Sequence, residues 1–393
     1  MKTNSPILKY GLSLSLAGLL LTCAVLLMSN REISDFPNSH KTITEADLKL
    51  ETVVTGLNLP WATAFLPDGR LLVTERVGKL RLVKDGVLDP QEITGLPAIL
   101  FKGQGGLLDV VLHPDYRSNG FIYISYSSPK AAGEEGDEGG ANTALLRAKL
   151  KDHALTEVQV LYKAMPNVKS SPHFGGRIVF DKKGYVFLSV GERGQKQNSQ
   201  NLGKIQGKVV RLHDDGKIPS DNPFVKTAGA KPEIWSYGHR NPQGMVIHPK
   251  TGVIWEHEHG PQGGDELNIV QRGKNYGWPL VTFGIDYDNS IISKDTAATG
   301  IEQPIIYWKP SIAPCGMTFI NSKKFKDWNG DLLVGSLKFM YLQHLVVRDN
   351  KVVKREIIFE KIGRVRDIRQ GPDGNIYVVL ENSGSIVRIS PKG

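Results

Sequence analysis

Leu66-Pro-Asp-Gly-Arg-Leu-Leu-Val-Thr-Glu75 (LPDGRLLVTE) couples a Pro-Asp-Gly turn to a short apolar strand. Glycine can take the positive-φ position of such a turn, and β-branched and aliphatic residues follow on the strand, which is the pattern of a β-hairpin. The phrase returns five times: HPDYRSNGFIYISY (113–126), FDKKGYVFLSVGE (180–192), HPKTGVIWEHE (248–258), DWNGDLLVGSL (327–337) and GPDGNIYVVLE (371–381). Further strands fit between the copies at 80–83, 144–150, 209–212, 317–320, 345–348 and 386–389. No amphipathic helix longer than about two turns is legible after residue 50. Six copies of strand–turn–strand predict an all-β, six-bladed β-propeller. A strand at 51–55 is expected to complete the last blade beside 386–389, which closes the ring and hides its edges. A stacked β-solenoid is the alternative, and the uneven spacing of the copies argues against it. Segments 214–231 and 284–303 read as surface excursions.

The chain has 393 residues and a net charge of +9, with 42 glycines and 22 prolines. That composition is globular and turn-rich. There is no run of lysine or arginine, which argues against a nucleic-acid partner. The positive excess suits an anionic ligand, or it is a solvated surface with no further meaning. Of the two cysteines, Cys23 falls in an N-terminal apolar run, so Cys315 has no partner for an internal disulfide. Lys2 and Lys9 precede the apolar run 12–28, the layout of a targeting segment. Leu20-Leu21-Thr22-Cys23 resembles a lipoprotein box, but Thr before Cys is atypical and the apolar run continues beyond it. Residues 1–30 are therefore expected to be a signal peptide or a membrane anchor, 31–48 a linker and 49–393 the propeller. The charge asymmetry puts the body on the exported, periplasmic side.

Several predicted loops are unusually polar. His173 stands in Ser171-Pro172-His173-Phe174-Gly175-Gly176-Arg177, at a strand entry. A neutral imidazole there can act as a general base, or it can be a hydrogen-bonded turn residue. Arg240 and Asn241 offer a planar guanidinium and an amide, which suit a carboxylate or an inter-blade ion pair. The segment Gly260-Pro261-Gln262-Gly263-Gly264-Asp265-Glu266 reads as a hard-cation loop with free carbonyls and two carboxylates, and calcium takes such oxygens. His257 and His259 alternate along a strand, but no third ligand has zinc spacing. Lys338, Arg364 and Arg366 add cations, and two residues apart on a strand means one face. Ligands of propellers sit at the central channel, and this site is expected where the first strands end.

Gly-His-Arg-Asn-Pro-Gln-Gly (238–244), His-Gly-Pro-x-x-Gly-Asp-Glu-Leu-Asn (259–268) and Asn-Tyr-Gly-Trp-Pro (275–279), with the Pro-Asp-Gly hairpins, resemble the soluble quinoprotein glucose/sorbosone dehydrogenase family, in its branch of bacterial aldose sugar dehydrogenases. The resemblance spans about residues 50–390. It implies a six-bladed propeller that binds pyrroloquinoline quinone (PQQ) and Ca2+ and oxidises aldose sugars at C1 to lactones. It also implies hydride transfer to quinone C5 and release of electrons to an external acceptor, a quinone pool or a redox protein, from a monomer or homodimer. By the same resemblance His173 is the catalytic base, and Gln104, Arg240, Asn241, Lys338, Arg364 and Arg366 contact the cofactor. Glu192, Asp265, Tyr307 and Trp308 lie near the substrate. Gly260 and Pro261 hold the catalytic calcium, and Glu266, Tyr276 and Asp286 hold a second, structural one. Glu192 stands where glucose dehydrogenases have Asp, and His259 where they have Gln, so sugar contacts differ while the reaction class stays.

Two rival classes share the architecture. Calcium-dependent lactonases hold the ion with central carboxylates and need no cluster of cations. Non-catalytic propellers bind glycan or protein and need no base. Four cations and His173 argue against both.

Overall fold

The computed structural model describes residues 43–392. The expected targeting segment and most of the expected linker lie outside these residues. Six four-stranded antiparallel sheets form the propeller. The first blade comprises Pro60–Phe65, Leu71–Glu75, Lys79–Lys84 and Val87–Leu88, and the second Leu107–Leu112, Phe121–Pro129, Ala141–Lys151 and Ala154–Lys163. The third comprises Gly175–Phe180, Val186–Val190, Lys208–Leu212 and Ile234–Tyr237. The fourth has Pro242–Ile247, Ile254–Glu258, Asp265–Val270 and Ile306–Trp308, and the fifth Pro314–Phe319, Leu332–Ser336, Leu342–Arg348 and Lys351–Ile358. The sixth takes Val365–Gln370, Ile376–Leu380 and Ser385–Pro391 from the C-terminus and Leu48–Val54 from the N-terminal side. That closing pair runs antiparallel from Leu48 opposite Pro391 to Val54 opposite Ile386. The strand begins at Leu48, earlier than the expected 51, because residues just before it are also tied into the body. The Trp328 indole N–H donates to the Ile43 carbonyl at 3.2 Å, and the Lys392 N–H donates to the Asp47 carbonyl at 2.8 Å.

Every copy of the repeated phrase joins the first strand of a blade to the second. The same bond closes each turn: Leu66 to Arg70, His113 to Phe121, Asp181 to Tyr185, His248 to Val253, Ile320 to Asp331 and Gly371 to Asn375, N–H to carbonyl, at 2.8–3.0 Å. The residue before each acceptor is a glycine at positive φ: Gly69, Gly120, Gly184, Gly252, Gly330 and Gly374. Glycine is used because a side chain there costs about 1–2 kcal/mol.

The six first strands line the axis and contact one another in a closed ring. Each carries a register shift close to its first residue, as between Pro60 and Ala62 or between Leu107 and Val110. A β-bulge bends a strand and re-aims its side chains. Below these bulges Arg177, from the third blade, plugs the channel. Its guanidinium packs 4.0 Å from the Trp61 ring, pairs with Asp367 at 2.9 Å and Asp109 at 3.6 Å, and donates to the Gln243 carbonyl at 2.8 Å. With Cys315 Sγ at 3.8 Å, one side chain touches all five other blades. Arg369 completes the network, 2.7 Å from Asp109 and 2.8 Å from Asp367.

Candidate active site

A cavity of about 1020 Å³ opens above this plug. Trp61, Leu108, Gly175, Gln243, Ala313 and Arg366 line it, one residue from each blade, at or beside the start of the first strand. The site therefore lies where the first strands begin, not where they end as expected. In an antiparallel blade the loops leaving the second strand emerge at that same end, and they bring Arg76, His259, Lys338 and Glu381.

Five cations line the cavity: Arg76, Lys309, Lys338, Arg364 and Arg366. Glu381 is the one acid among the described lining residues. It binds Arg366 at 2.7 Å and Arg364 at 3.2 Å, and lies 3.9 Å from Arg76. Arg366 is buried, and burial opposes its charge, but Cys315 and Glu381 beside it hold its pKa above the usual value. The Nε–H groups of Arg76 and Arg366 are buried with no partner, as is that of Arg240, which lines a separate small pocket and not this cavity. Unsatisfied cationic donors around one cavity are the chemistry of a polyanion receptor. Arg76, Glu381, Lys309 and Gln243 were not singled out in the sequence. Arg76 and Glu381 follow the strands of hairpin copies, and that position was the available signal.

His173 stands at the edge of this cavity. Its chain neighbours Phe174 and Gly175 line the wall, as does Gln104, whose Oε1 accepts the His173 N–H at 2.8 Å. The backbone at His173 has φ +57. The chain is held there by close approach, since a Cβ on Gly191 would lie 2.1 Å from the His173 carbonyl. Imidazole Nδ1 bonds the buried carboxylate of Glu192, and the side chain is 12% exposed. Burial lowers the His173 pKa from its ordinary value, partly offset by the Glu192 hydrogen bond, so the ring is neutral near pH 7. Glu192 was expected near the sugar; the structure puts it behind the imidazole, where it fixes the tautomer.

Arg240 and Asn241 enter the fourth blade. Both backbone N–H groups donate to Glu258 Oε2. The Arg240 guanidinium donates to the carbonyls of His259 at 3.0 Å and Gly260 at 2.9 Å, so these oxygens converge on a positive group. Asn241 and Pro261 line the cavity. The glycine loop is shorter than expected, for Asp265 and Glu266 already belong to a strand. Asp265 accepts from Gly260 N, Ser311 Oγ, Ile312 N and Ala313 N. It clamps the loop to the next blade and does not line the cavity, against its expected place by the substrate.

Glu266 and Tyr276 do come together, lining one small pocket with Glu258. His239, Glu256 and Glu258 bring their ligand atoms within 4.8 Å of one another, and Tyr276 stacks on His239 at 4.6 Å. Burial and the neighbouring Glu258 push the Glu256 pKa up to about 7. Burial opposes charge on His239, but the two carboxylates outweigh it and raise its pKa to about 9. Asp286 is not in this group; its carboxylate faces Lys196 at 3.4 Å. Its segment is nevertheless no mere surface excursion, since Ile285 and Tyr287 cover the cavity. His257 and His259 form no zinc pair. Nε2 of each ring bonds a backbone carbonyl of the fifth blade, His257 to Gly316 at 3.4 Å and His259 to Pro314 at 2.8 Å.

Neither expected aromatic covers the cavity. Trp308 is a core residue whose indole N–H donates to Gln343 at 2.8 Å. Tyr307 faces the other way on that strand and stacks on Phe283 with ring centres 4.0 Å apart.

Residues 57–388 match the glucose/sorbosone dehydrogenase family model. Aldose sugar dehydrogenase of Escherichia coli (strain K12) is 46% identical over 354 residues, covering 88% of this chain and 94% of the relative. The crystal structure of the soluble aldose sugar dehydrogenase from E. coli in its apo form superposes with a TM-score of 0.82 at 44% identity, over 88% of this chain and all of that one. The PQQ-bound aldose sugar dehydrogenase from Streptomyces coelicolor superposes with a TM-score of 0.71 at 25% identity, over 88% and 99%. With the family match running through all six blades, the chain belongs to the glucose/sorbosone dehydrogenase family.

Proposed function

We propose that the protein is a PQQ- and calcium-dependent dehydrogenase that oxidises aldose sugars at C1 to lactones and passes the electrons to an external acceptor. The observation that carries this reading is a cavity ringed by Arg76, Lys338, Arg364 and Arg366, with a carboxylate-tethered imidazole at its edge. PQQ is a tricarboxylate, and the unpartnered Nε–H groups of Arg76 and Arg366 on the cavity wall fit it. Relatives named aldose sugar dehydrogenase, one of them PQQ-bound, support the same cofactor.

Lys338, Arg364 and Arg366 would hold the PQQ carboxylates, and Arg240 with Asn241 would hold its ring system. The Gly260 and Pro261 carbonyls would hold the catalytic calcium, at a place where the Gly260 oxygen already meets a cationic group. Glu266, in its pocket with Glu258 and Tyr276, would hold a second ion. When bound, PQQ supplies the two-electron acceptor and calcium a Lewis acid. His173 takes the anomeric hydroxyl proton at Nε2, because Nδ1 is engaged by Glu192. Gln104 fixes the backbone of the base through its bond to His173 N–H. The lactonase reading needs free carboxylates facing the cavity, and Glu381, the one acid among its described lining residues, is bound by Arg364 and Arg366. The N-terminal targeting segment argues for an exported, periplasmic enzyme.

The test adds PQQ and calcium to the protein and follows dye reduction with a panel of aldoses. Activity is expected to require both additions and to disappear with a chelator. Tight quinone binding without oxidation of any aldose would move the substrate to another alcohol. Failure to bind quinone would overturn the reading.

A further inference from the structure

We propose that Arg193 is a positioning residue for the base. Its buried guanidinium clamps the chain on both sides of His173 and holds the imidazole at the cavity edge. The inference rests on the proposed role of His173 and adds a residue to it. Arg193 directly follows Glu192 in the loop that leaves the second strand of the third blade, and it is not among the residues that line the cavity. It is 2% exposed. Four backbone carbonyls accept from its side chain: Pro172 at 3.0 Å, Ala141 at 3.0 Å, Val168 at 3.4 Å and Ser170. The guanidinium carbon lies 3.5 Å from the centre of the Phe174 ring.

A buried charge is ordinarily paired with an opposite one, because desolvation is costly. Arg177 and Arg366, buried likewise, meet Asp367 at 2.9 Å and Glu381 at 2.7 Å. None of the four acceptors of Arg193 is a carboxylate, and burial lowers its pKa to about 9. What this cation holds is the segment around the base: Pro172 precedes His173 and Phe174 follows it. His173 itself has φ +57, a conformation that a bulky residue keeps only where its surroundings over-determine it. Gln104 holds the His173 N–H, Gly191 packs on its carbonyl, and Arg193 holds both neighbours. Glu192 then takes Nδ1. Two consecutive residues thus fix the base, one by its ring and the other by its backbone. The imidazole also feels their charges. Burial lowers the His173 pKa most, the Glu192 hydrogen bond raises it, and the charges of Arg240 and Arg193 lower it.

Arg193→Gln removes both the charge and the fork of donors. In the PQQ- and calcium-loaded protein its kcat should fall by about ten- to a hundredfold, the scale of a reacting group displaced by about 1 Å. KM for the aldose and PQQ affinity should hold, because Arg193 lines no part of the cavity. The acid limb of the kcat–pH profile should move to higher pH, since loss of a cation raises the His173 pKa and the neutral imidazole is the active form. A second readout needs neither cofactor nor turnover. NMR titration of the His173 imidazole, in the protein without added PQQ, should show the same upward shift. Arg193→Lys keeps a donor but lacks the planar fork. It should lower kcat less than Arg193→Gln does, and it carries the kinetic test if Arg193→Gln does not fold. A variant that melts earlier but keeps wild-type kcat and wild-type His173 titration overturns the proposal and leaves Arg193 a packing residue. So does a loss confined to PQQ affinity. An upward His173 shift in Arg193→Gln, in a protein that oxidises no aldose, would uphold the clamp and overturn the proposed function.

Discussion

The two ends of the central channel are made by the same six strands, yet they are built on opposite plans. At the closed end each first strand leaves through one repeated hairpin, with the same closing bond and a glycine at the same place. At the open end each first strand starts in a bulge, and unlike loops bring cations, an imidazole and a carbonyl loop together. The Arg177 network separates the two ends. Repetition at one end serves closure of the ring, and departure from repetition at the other places chemistry. The comparison is sharpened by variants that should affect activity at one end and stability at the other.

The largest effect is expected at the base. His173→Ala should lower kcat by at least about a hundredfold, the usual lower scale for a positioned base, while PQQ still binds. Turnover near wild type would remove His173 from the mechanism. Next comes Arg366→Met, which deletes a buried cation and leaves Glu381 without its shortest ion pair. PQQ affinity should fall at least about thirtyfold in an absorbance titration. Glu192→Gln gives a smaller effect with a defined sign. The neutral imidazole is the active form, and the Glu192 hydrogen bond raises the His173 pKa against burial. Removing that carboxylate should move the acid limb of the kcat–pH profile to lower pH and reduce kcat; a limb that stays or moves up would contradict the assigned role. The smallest effect belongs to the other end. Gly69→Ala meets no atom within 4 Å, but φ is +89, so stability should fall by about 1–2 kcal/mol with kcat unchanged.

The same contrast explains what was legible in the sequence. The hairpins are local, so six copies of a turn and a strand could be counted along the chain. The cavity is assembled by strand starts separated by whole blades, and only residues in dense motifs stood out. His173, Arg240, Asn241, Lys338, Arg364 and Arg366 are carried by such motifs, and the structure brings them to one end of the channel. Arg76 directly follows one ordinary-looking hairpin copy and Glu381 ends another, so their approach to Arg366 was invisible. Charged residues inside apolar first strands, Asp109, Arg177 and Asp367, were a signal of the axial plug that was not used. Trp308 and Tyr307 show the limit of a two-residue alternation: adjacent strand residues face opposite ways, Trp308 into the core and Tyr307 onto Phe283, and neither reaches the active-site cavity. Glu192 and Asp265 were expected beside the substrate and line no part of the cavity, because their partners, His173 Nδ1 and the 311–313 backbone, come from other parts of the chain.

The most direct test of the central claim is a PQQ titration of the protein in the presence of calcium, followed by addition of an aldose. Saturable binding that Arg366→Met weakens is expected, with loss of the oxidised quinone absorbance when the sugar is added to wild type but only slowly in His173→Ala. Absence of PQQ binding, or binding indifferent to Arg366, would contradict the assignment of the open end as the cofactor site.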